Sequence, residues 1–339
     1  MGEEWTASGH DRQDNGVSPV RILITGALGY LGQQLCWPLL ERPEFDLHGT
    51  FRTMRPHHHW SRLALQQVDL SDEQAACRLI EHVKPAQVYH LAGNVRAGRK
   101  DHGDADAAYR DNLQATQNLY NACLRLSTKP RIVHAGSGAI YGQVDGVISE
   151  ASPLAPLNPY GDSKAAADAL GQQFFAMHQL PVIRARIFNF LGLGQTDETA
   201  IGRFVNGLLA LERERPRPAV FRVGNLQAER DFLHVSDVVS ALVLLMEKGV
   251  PGEAYNVASG TSHPMQWYLD RLLEHFPIPV AVEYDEKLGG RPEAVRLRVD
   301  ISKLQGHTGW KPAVGLEQAL ASMMDFCRHS PIAERKPES

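Results

Sequence analysis

One segment constrains this chain more than any other: the apolar run Val20–Thr25 passes directly into Gly26-Ala27-Leu28-Gly29-Tyr30-Leu31-Gly32, and a helical pattern through Leu35, Leu39 and Leu40 follows. Glycines at this spacing let a strand turn sharply into a helix. They also let backbone N–H groups approach a pyrophosphate and bring the helix close to the sheet, while the helix N-terminus favours negative charge. The spacing is one residue wider than the GxGxxG dinucleotide fingerprint. A flexible turn would also be glycine-rich; the strand before and the helix after favour the nucleotide reading.

Further short β-rich runs, at Leu47–Arg52, Gln87–Leu91, Arg131–Ala135 and Pro181–Phe188, alternate with longer amphipathic segments. This alternation predicts an α/β fold whose parallel sheet is covered by helices on both faces. Right-handed crossovers then place the carboxyl ends of the strands, and any ligand, along one edge. After Gly192 the alternation weakens, and 212–218 (ERERPRP) reads as an exposed connection. The expected organisation is a first domain over 19–190, with 230–248 packing back on it. A smaller, interleaved substrate-binding domain takes 191–229 and 249–328, between polar tails at 1–18 and 329–339.

The 339 residues are 43% hydrophobic and carry a net charge of only −4 with no basic face, which argues against duplex nucleic acid as a partner. No apolar run is long enough for a membrane span or a secretion signal, so the expected setting is cytoplasmic. Cys36, Cys77, Cys123 and Cys327 are far apart and sit among apolar neighbours, as buried thiols do. His57-His58-His59 has no Asp, Glu or Cys partner at ligand spacing and reads as an exposed loop, so no metal is expected.

The second strand ends at Arg52, with Arg55 beyond it, where an NAD-selective site would have an acidic residue for the ribose 2′-hydroxyl. A guanidinium suits a 2′-phosphate, so NADP(H) is preferred over NAD(H) on this reading; the plain alternative is a solvated loop arginine. Asp69 follows the third strand-like run and either accepts from the adenine amino group or, with Ser71, caps the next helix.

Tyr160 and Lys164 are four residues apart at the start of a helix and share one face. An adjacent ammonium and an oxidised nicotinamide would stabilise the phenolate and bring its proton into play near neutrality. Ser137 ends the strand that begins at Arg131, 23 residues before Tyr160, where its hydroxyl can hydrogen-bond a reacting oxygen. Gly136-Ser137-Gly138 lacks the GxSxG elbow of a serine hydrolase.

Together, Thr25–Gly32, Ser137, Tyr160, Lys164 and Asn112 in YRDNLQATQNL resemble the extended short-chain dehydrogenase/reductase family over about residues 20–328. Within it, the segments at 47–52, Arg186–Asn189 and Arg222–Phe232 look most like enzymes of GDP-6-deoxyhexose metabolism. The resemblance implies a Rossmann-type doubly wound sheet and a catalytic set of Ser137, Tyr160 and Lys164. It implies a cofactor cleft lined by Gly26, Gly29, Tyr30, Leu31, Gly32, Arg52, Asp69, Leu70, Leu91, Asn112, Tyr160, Lys164 and Phe188. A GDP-linked or other nucleotide sugar would lie against Ser137, Asn189, Arg222, Arg230 and Arg291. A homodimer through a four-helix bundle, from helices around 105–125 and 162–178, is also implied.

The expected reaction is NADPH-dependent reduction of the C4 keto group of a 4-keto-6-deoxyhexose; the alternatives are a 4-epimerase with tightly bound NAD, a dehydratase, or a noncatalytic NADP(H)-binding protein. Related dehydratases carry a glutamate two residues after the catalytic hydroxyl, where this chain has Ala139. The epimerase-reductases need a Cys and His pair, and no cysteine lies near Ser137. Arg96, in a loop of unusual composition, faces either substrate or solvent.

Overall fold

The computed structural model describes residues 18–53, 61–95, 104–195, 199–216, 218–289 and 297–329. Arg55, His57–His59, Arg96 and Arg291 lie outside them.

Seven strands form a parallel sheet: β1 (Val20–Thr25), β2 (Phe45–Phe51), β3 (Leu63–Gln67), β4 (Gln87–His90), β5 (Arg131–Ser137), β7 (Val182–Ile187) and β11 (Ala254–Val257). Their order is β11-β7-β5-β4-β1-β2-β3. The chain builds outward from β1 to β3, returns to the other side of β1, and builds outward again; the reversal opens a crevice at the carboxyl ends of β1 and its neighbours. β1 is buried along Ile22, Leu23, Ile24 and Thr25, as expected of a strand covered on both faces. One face is covered by α1 (Tyr30–Leu40) and α7 (Val235–Lys248), the other by α2 (Glu73–Val83), α4 (Ala115–Leu124) and α5 (Pro159–His178). The doubly wound α/β architecture expected from the alternating pattern is therefore present, with strand boundaries within two residues of expectation.

A further apolar cluster lies apart from the sheet. It joins Leu191, α6 (Ala200–Glu214), β9 (Val220–Val223), β10 (Glu229–His234), α8 (Met265–Leu273) and α10 (Leu316–His329) through Val205, Phe221, Phe232, Leu269 and Met323. Short strands dress its edge: β8 (Asn189–Leu191) and β12 (Ser262–Pro264) flank β10, and β13 (Ala281–Tyr284) pairs with β9. β6 (Gly146–Ile148) pairs with β14 (Leu297–Val299), which leads to α9 (Ser302–Thr308). The sequence reading placed a loop at 212–218, whereas α6 continues through Glu214. Glu212 accepts from Arg328 Nε at 3.1 Å, so an acidic side chain read as solvated ties α6 to α10.

α3 (Ala105–Tyr109) does not run straight into α4: a π-helical turn intervenes at Arg110–Gln114. Such turns insert a residue into the helical ladder and gather at functional sites. This one carries Asp111 and Asn112, both buried.

Candidate active site

The glycine turn has a geometric requirement at two positions. Gly26 has φ +71°, and a Cβ there would stand 2.9 Å from Ala92 N; at Gly32 it would stand 2.2 Å from Gly26 O. The first glycine thus permits the left-handed turn and the third permits α1 to lie against it. Gly29 caps α1 without a side-chain hydrogen bond, and the first turn holds no acidic residue. The helix's first amides consequently face the crevice with no anionic side chain competing for them, which fits a pyrophosphate. Leu31 packs on the main core, and the Tyr30 ring stacks on Phe190 with centroids 6.2 Å apart.

Arg52, Asp69, Leu70 and Leu91 follow the carboxyl ends of β2, β3 and β4. Asp69 Oδ1 accepts from Ser71 N at 2.9 Å and Ser71 Oγ at 2.7 Å, but the N-cap of α2 is Asp72. Asp69 therefore shapes the loop before the helix rather than capping it. Leu70 is buried beside it, and Leu91 N donates to Thr25 O at 3.2 Å, stitching the end of β4 to the end of β1. Arg52 departs most from expectation. Its Nη1 and Nη2 donate to Asp111 Oδ1 and Oδ2 at 2.6 and 3.0 Å, so its fork meets a protein carboxylate.

Ser137, Tyr160 and Lys164 converge where β5 ends against the start of α5. Ser137 Oγ accepts from Ala139 N at 3.2 Å, and its hydroxyl is near enough to the Tyr160 phenol to act on it. Asn158 caps α5 by accepting from Gly161 N at 2.8 Å, and Pro159 occupies the first turn. A Cβ at Gly161 would stand 2.9 Å from Ala139 O, so the glycine beside Tyr160 lets α5 dock on the serine turn. Lys164 is buried and donates from Nζ to Ala135 O at 3.1 Å. Asn112 links the π turn to this helix: Nδ2 donates to Ser163 Oγ at 2.9 Å, and Oδ1 accepts from Asn94 N at 2.7 Å. Phe188 stacks on Tyr141 and covers Gly138, which walls the serine turn.

Burial pushes the Tyr160 phenol up, and the Ser137 hydrogen bond draws it partly back. Burial also pushes the Lys164 ammonium down to about 8. The sequence reading has the phenol acidified by that ammonium together with a bound nicotinamide; within the chain itself the ammonium bonds a carbonyl and desolvation raises the phenol. A phenol that keeps its proton at neutral pH suits a proton donor.

The substrate candidates are less gathered. Asn189 is exposed where β8 begins, with Nδ2 3.4 Å from Asp231 O. Arg230 donates from Nη1 to Glu229 O at 2.7 Å; burial lowers its pKa, and no ion pair to it is found among the described residues. A partly desolvated cation of this kind suits an anionic ligand. Arg222 lies on the surface of β9 with Nε 3.7 Å from Glu283. Among the described residues no group of three or more His, Cys, Asp or Glu could hold a metal ion, and no helix is long and apolar enough to cross a membrane.

Under the cleft floor lie two histidines that sequence reasoning passed over. His90 Nδ1 and Nε2 hydrogen-bond Thr25 at 2.7 Å and Thr116 at 2.9 Å, and His134 Nδ1 meets Tyr120 at 3.0 Å. Burial keeps both neutral, with His134 pushed down to about 3. Their folded pKa values lie below the unfolded value near 6.5, so their contribution to stability is complete above that pH and declines as pH falls towards 3. Asp231, which burial pushes up to about 6, works in the opposite sense. Between pH 6.5 and 5, His134 alone should cost about 2 kcal/mol of unfolding free energy. Urea titrations of wild type and His134→Gln at the two pH values measure the difference; equal pH slopes would remove His134 as the cause.

The NAD dependent epimerase/dehydratase family model matches residues 22–258. A GDP-6-deoxy-D-mannose reductase of Pseudomonas aeruginosa is 28% identical over 308 residues, covering 90% of this chain and 96% of that protein. Among solved structures, RMD of Pseudomonas aeruginosa complexed with NADPH has a TM-score of 0.77 at 27% identity, covering 91% of this chain and 99% of that one. MoeE5 in complex with UDP-glucuronic acid and NAD gives 0.78 at 28%, with the same coverage. The glycine turn, the doubly wound sheet and the match over 22–258 together show that this chain belongs to the NAD dependent epimerase/dehydratase family, a group of extended short-chain dehydrogenases/reductases.

Proposed function

We propose that the protein is an oxidoreductase acting on a nucleotide-activated sugar, and that it reduces the C4 keto group of a GDP-linked 4-keto-6-deoxyhexose with NADPH. The observation that carries this reading is the convergence of the Ser137 hydroxyl, the Tyr160 phenol and the Lys164 ammonium at the carboxyl end of β5. The reductase of Pseudomonas aeruginosa supports the choice of sugar.

A bound dihydronicotinamide would supply the hydride for C4. Tyr160 gives its proton to the oxygen that gains charge as the carbonyl is reduced, and Ser137 donates a hydrogen bond to the same oxygen. Lys164 would hold the cofactor's ribose, with Asn112 bracing α5 beside it through Ser163; the glycine turn and α1 would hold the pyrophosphate, and Arg230 would take the sugar nucleotide's diphosphate together with Asn189, Arg222 and Arg291.

Among the described residues, dehydration at this site lacks a base. Ala139 stands two residues after Ser137, and the nearby carboxylates are engaged elsewhere: Asp111 by Arg52, Asp162 by Tyr109, Asp168 by two arginines, and Asp231 by the Ser259 and Gly260 amides. A second reading, a 4-epimerase that retains NAD, is favoured by one observation, the Arg52 fork already held by Asp111. A homodimer packed through α3, α4 and α5 completes the proposal.

The test is incubation with GDP-, UDP- and dTDP-linked 4-keto-6-deoxyhexoses and NADPH, followed by mass analysis. Gain of two hydrogens on the GDP sugar is the expected result. An epimerase would leave the mass of its sugar unchanged and release NAD on denaturation of the freshly purified protein.

A further inference from the structure

The carboxyl end of β2 presents a cation whose best face is already taken. Arg52 meets Asp111 through both terminal nitrogens, end-on and bidentate. This is also the geometry in which a guanidinium holds two oxygens of a phosphate monoester. The two side chains are unequal: Arg52 is 45% exposed and Asp111 only 3%. Asp111 is fixed from its own side, since Oδ2 accepts from Asn94 Nδ2 at 3.0 Å and Oδ1 from Arg110 Nε at 3.3 Å, on a π turn that Asn112 ties to α5. Burial works against its charge, yet the bonds from Arg52 and Asn94 hold it below the usual carboxylate range.

A ribose 2′-phosphate reaching for the Arg52 fork must therefore displace a buried carboxylate, which would lose its strongest partner in a poorly solvated place. Asp69, also close enough to act on Arg52 through its charge, adds a second negative group where the phosphate would arrive. A ribose 2′-hydroxyl meets neither obstacle, because it needs one hydrogen bond and brings no charge.

We propose that Asp111 is a specificity-determining residue for the cofactor: by holding the Arg52 fork it restrains recognition of a 2′-phosphate, so that NADPH and NADH bind with similar strength. This rests on the reading of Arg52 as the residue beside the adenosine ribose, and it narrows the cofactor preference drawn from the sequence. The asymmetry of burial assigns the roles. Asp111 is the fixed partner and Arg52 the movable one, so the carboxylate acts by positioning the arginine and touches no reacting atom.

The experiment is calorimetric titration of the full chain with NADPH and with NADH, without sugar, so that failure of the proposed reduction leaves it unaffected. In wild type the two dissociation constants should lie within about tenfold of each other. Asp111→Asn keeps the shape and one acceptor but removes the charge, and should raise the NADPH-to-NADH affinity ratio by about tenfold, the worth of one charge-assisted hydrogen bond. The gain should appear in the NADPH constant and vanish when Arg52→Gln is combined with Asp111→Asn. A ratio that stays level or falls in Asp111→Asn would overturn the proposal, as would a wild-type preference for NADPH of a hundredfold or more. The wild-type ratio and Asp111→Ser keep the test decisive should the asparagine variant not fold.

Discussion

Replacing Tyr160 by Phe should lower turnover by roughly 10²–10⁴-fold while leaving dinucleotide binding close to wild type, because the change removes one proton donor and nothing else of similar weight. The phenol has a proton to give at the cleft: burial keeps it protonated at neutral pH, the Ser137 hydroxyl is near enough to act on it, and the Lys164 ammonium is turned to the Ala135 carbonyl. Phenylalanine preserves the ring and its packing at the start of α5. Ser137 Oγ retains the bond from Ala139 N, so the serine turn keeps a hydrogen bond of its own. The glycine turn and Asn112, which lie on β1, α1 and the π turn, are untouched. Nucleotide titration together with steady-state rates makes the comparison. Full turnover in Tyr160→Phe would remove the phenol from the mechanism, and loss of both binding and turnover would recast Tyr160 as part of the cleft's framework.

The parts of this site that the sequence makes legible are local ones. Gly26, Gly29 and Gly32 read as a phosphate turn because strand, turn and helix are contiguous, and Tyr160 and Lys164 read as neighbours because a helix brings residues four apart onto one face. What the sequence hides depends on distant pairing. Asp111 stands next to the readily noticed Asn112, yet nothing in its surroundings announces a bond to Arg52, 59 residues away, because a π turn rather than a regular helix aims it there. Asp69 reads either as an acceptor for the adenine amino group or as a helix cap, and the structure gives the cap to Asp72. His90 and His134 sit on central strands and look like ordinary interruptions of an apolar run. Only the sheet order brings their rings to 5.2 Å across β4 and β5.

The same lesson applies to the carboxylate that holds α5 to the sheet, and its removal carries the largest expected loss of stability. Tyr160, Lys164 and Asp168 recur every four residues along one stripe of α5, the first two at the cleft and the third one turn deeper. Asp168 is 1% exposed and accepts from Arg184 Nη1 at 2.7 Å, Arg186 Nε at 3.0 Å and Arg186 Nη2 at 2.8 Å. Both arginines are 5% exposed and alternate with Ala185 on β7, so they project to the same side of the sheet. Further donors reach Gly252 O, Tyr141 Oη and Glu150 O, which fixes the guanidiniums in place when their carboxylate is taken away. Asp168→Ala therefore leaves two buried positive charges without a counter-ion. Breaking a buried pair costs about 3–5 kcal/mol, a large share of the roughly 5–15 kcal/mol by which a folded chain is stable. A fall in melting temperature on the order of 10 °C should follow. The cause can be separated from loss of packing volume by adding Arg184→Met and Arg186→Met to Asp168→Leu. If uncompensated charge is the penalty, the triple variant should recover most of the loss, since an apolar cluster of similar volume commonly matches a buried ion network in stability. Calorimetric melting of the two variants against wild type decides the matter: a melting point for Asp168→Ala within about 2 °C of wild type would show that these arginines find adequate partners without the carboxylate, and that α5 is held by its apolar face alone.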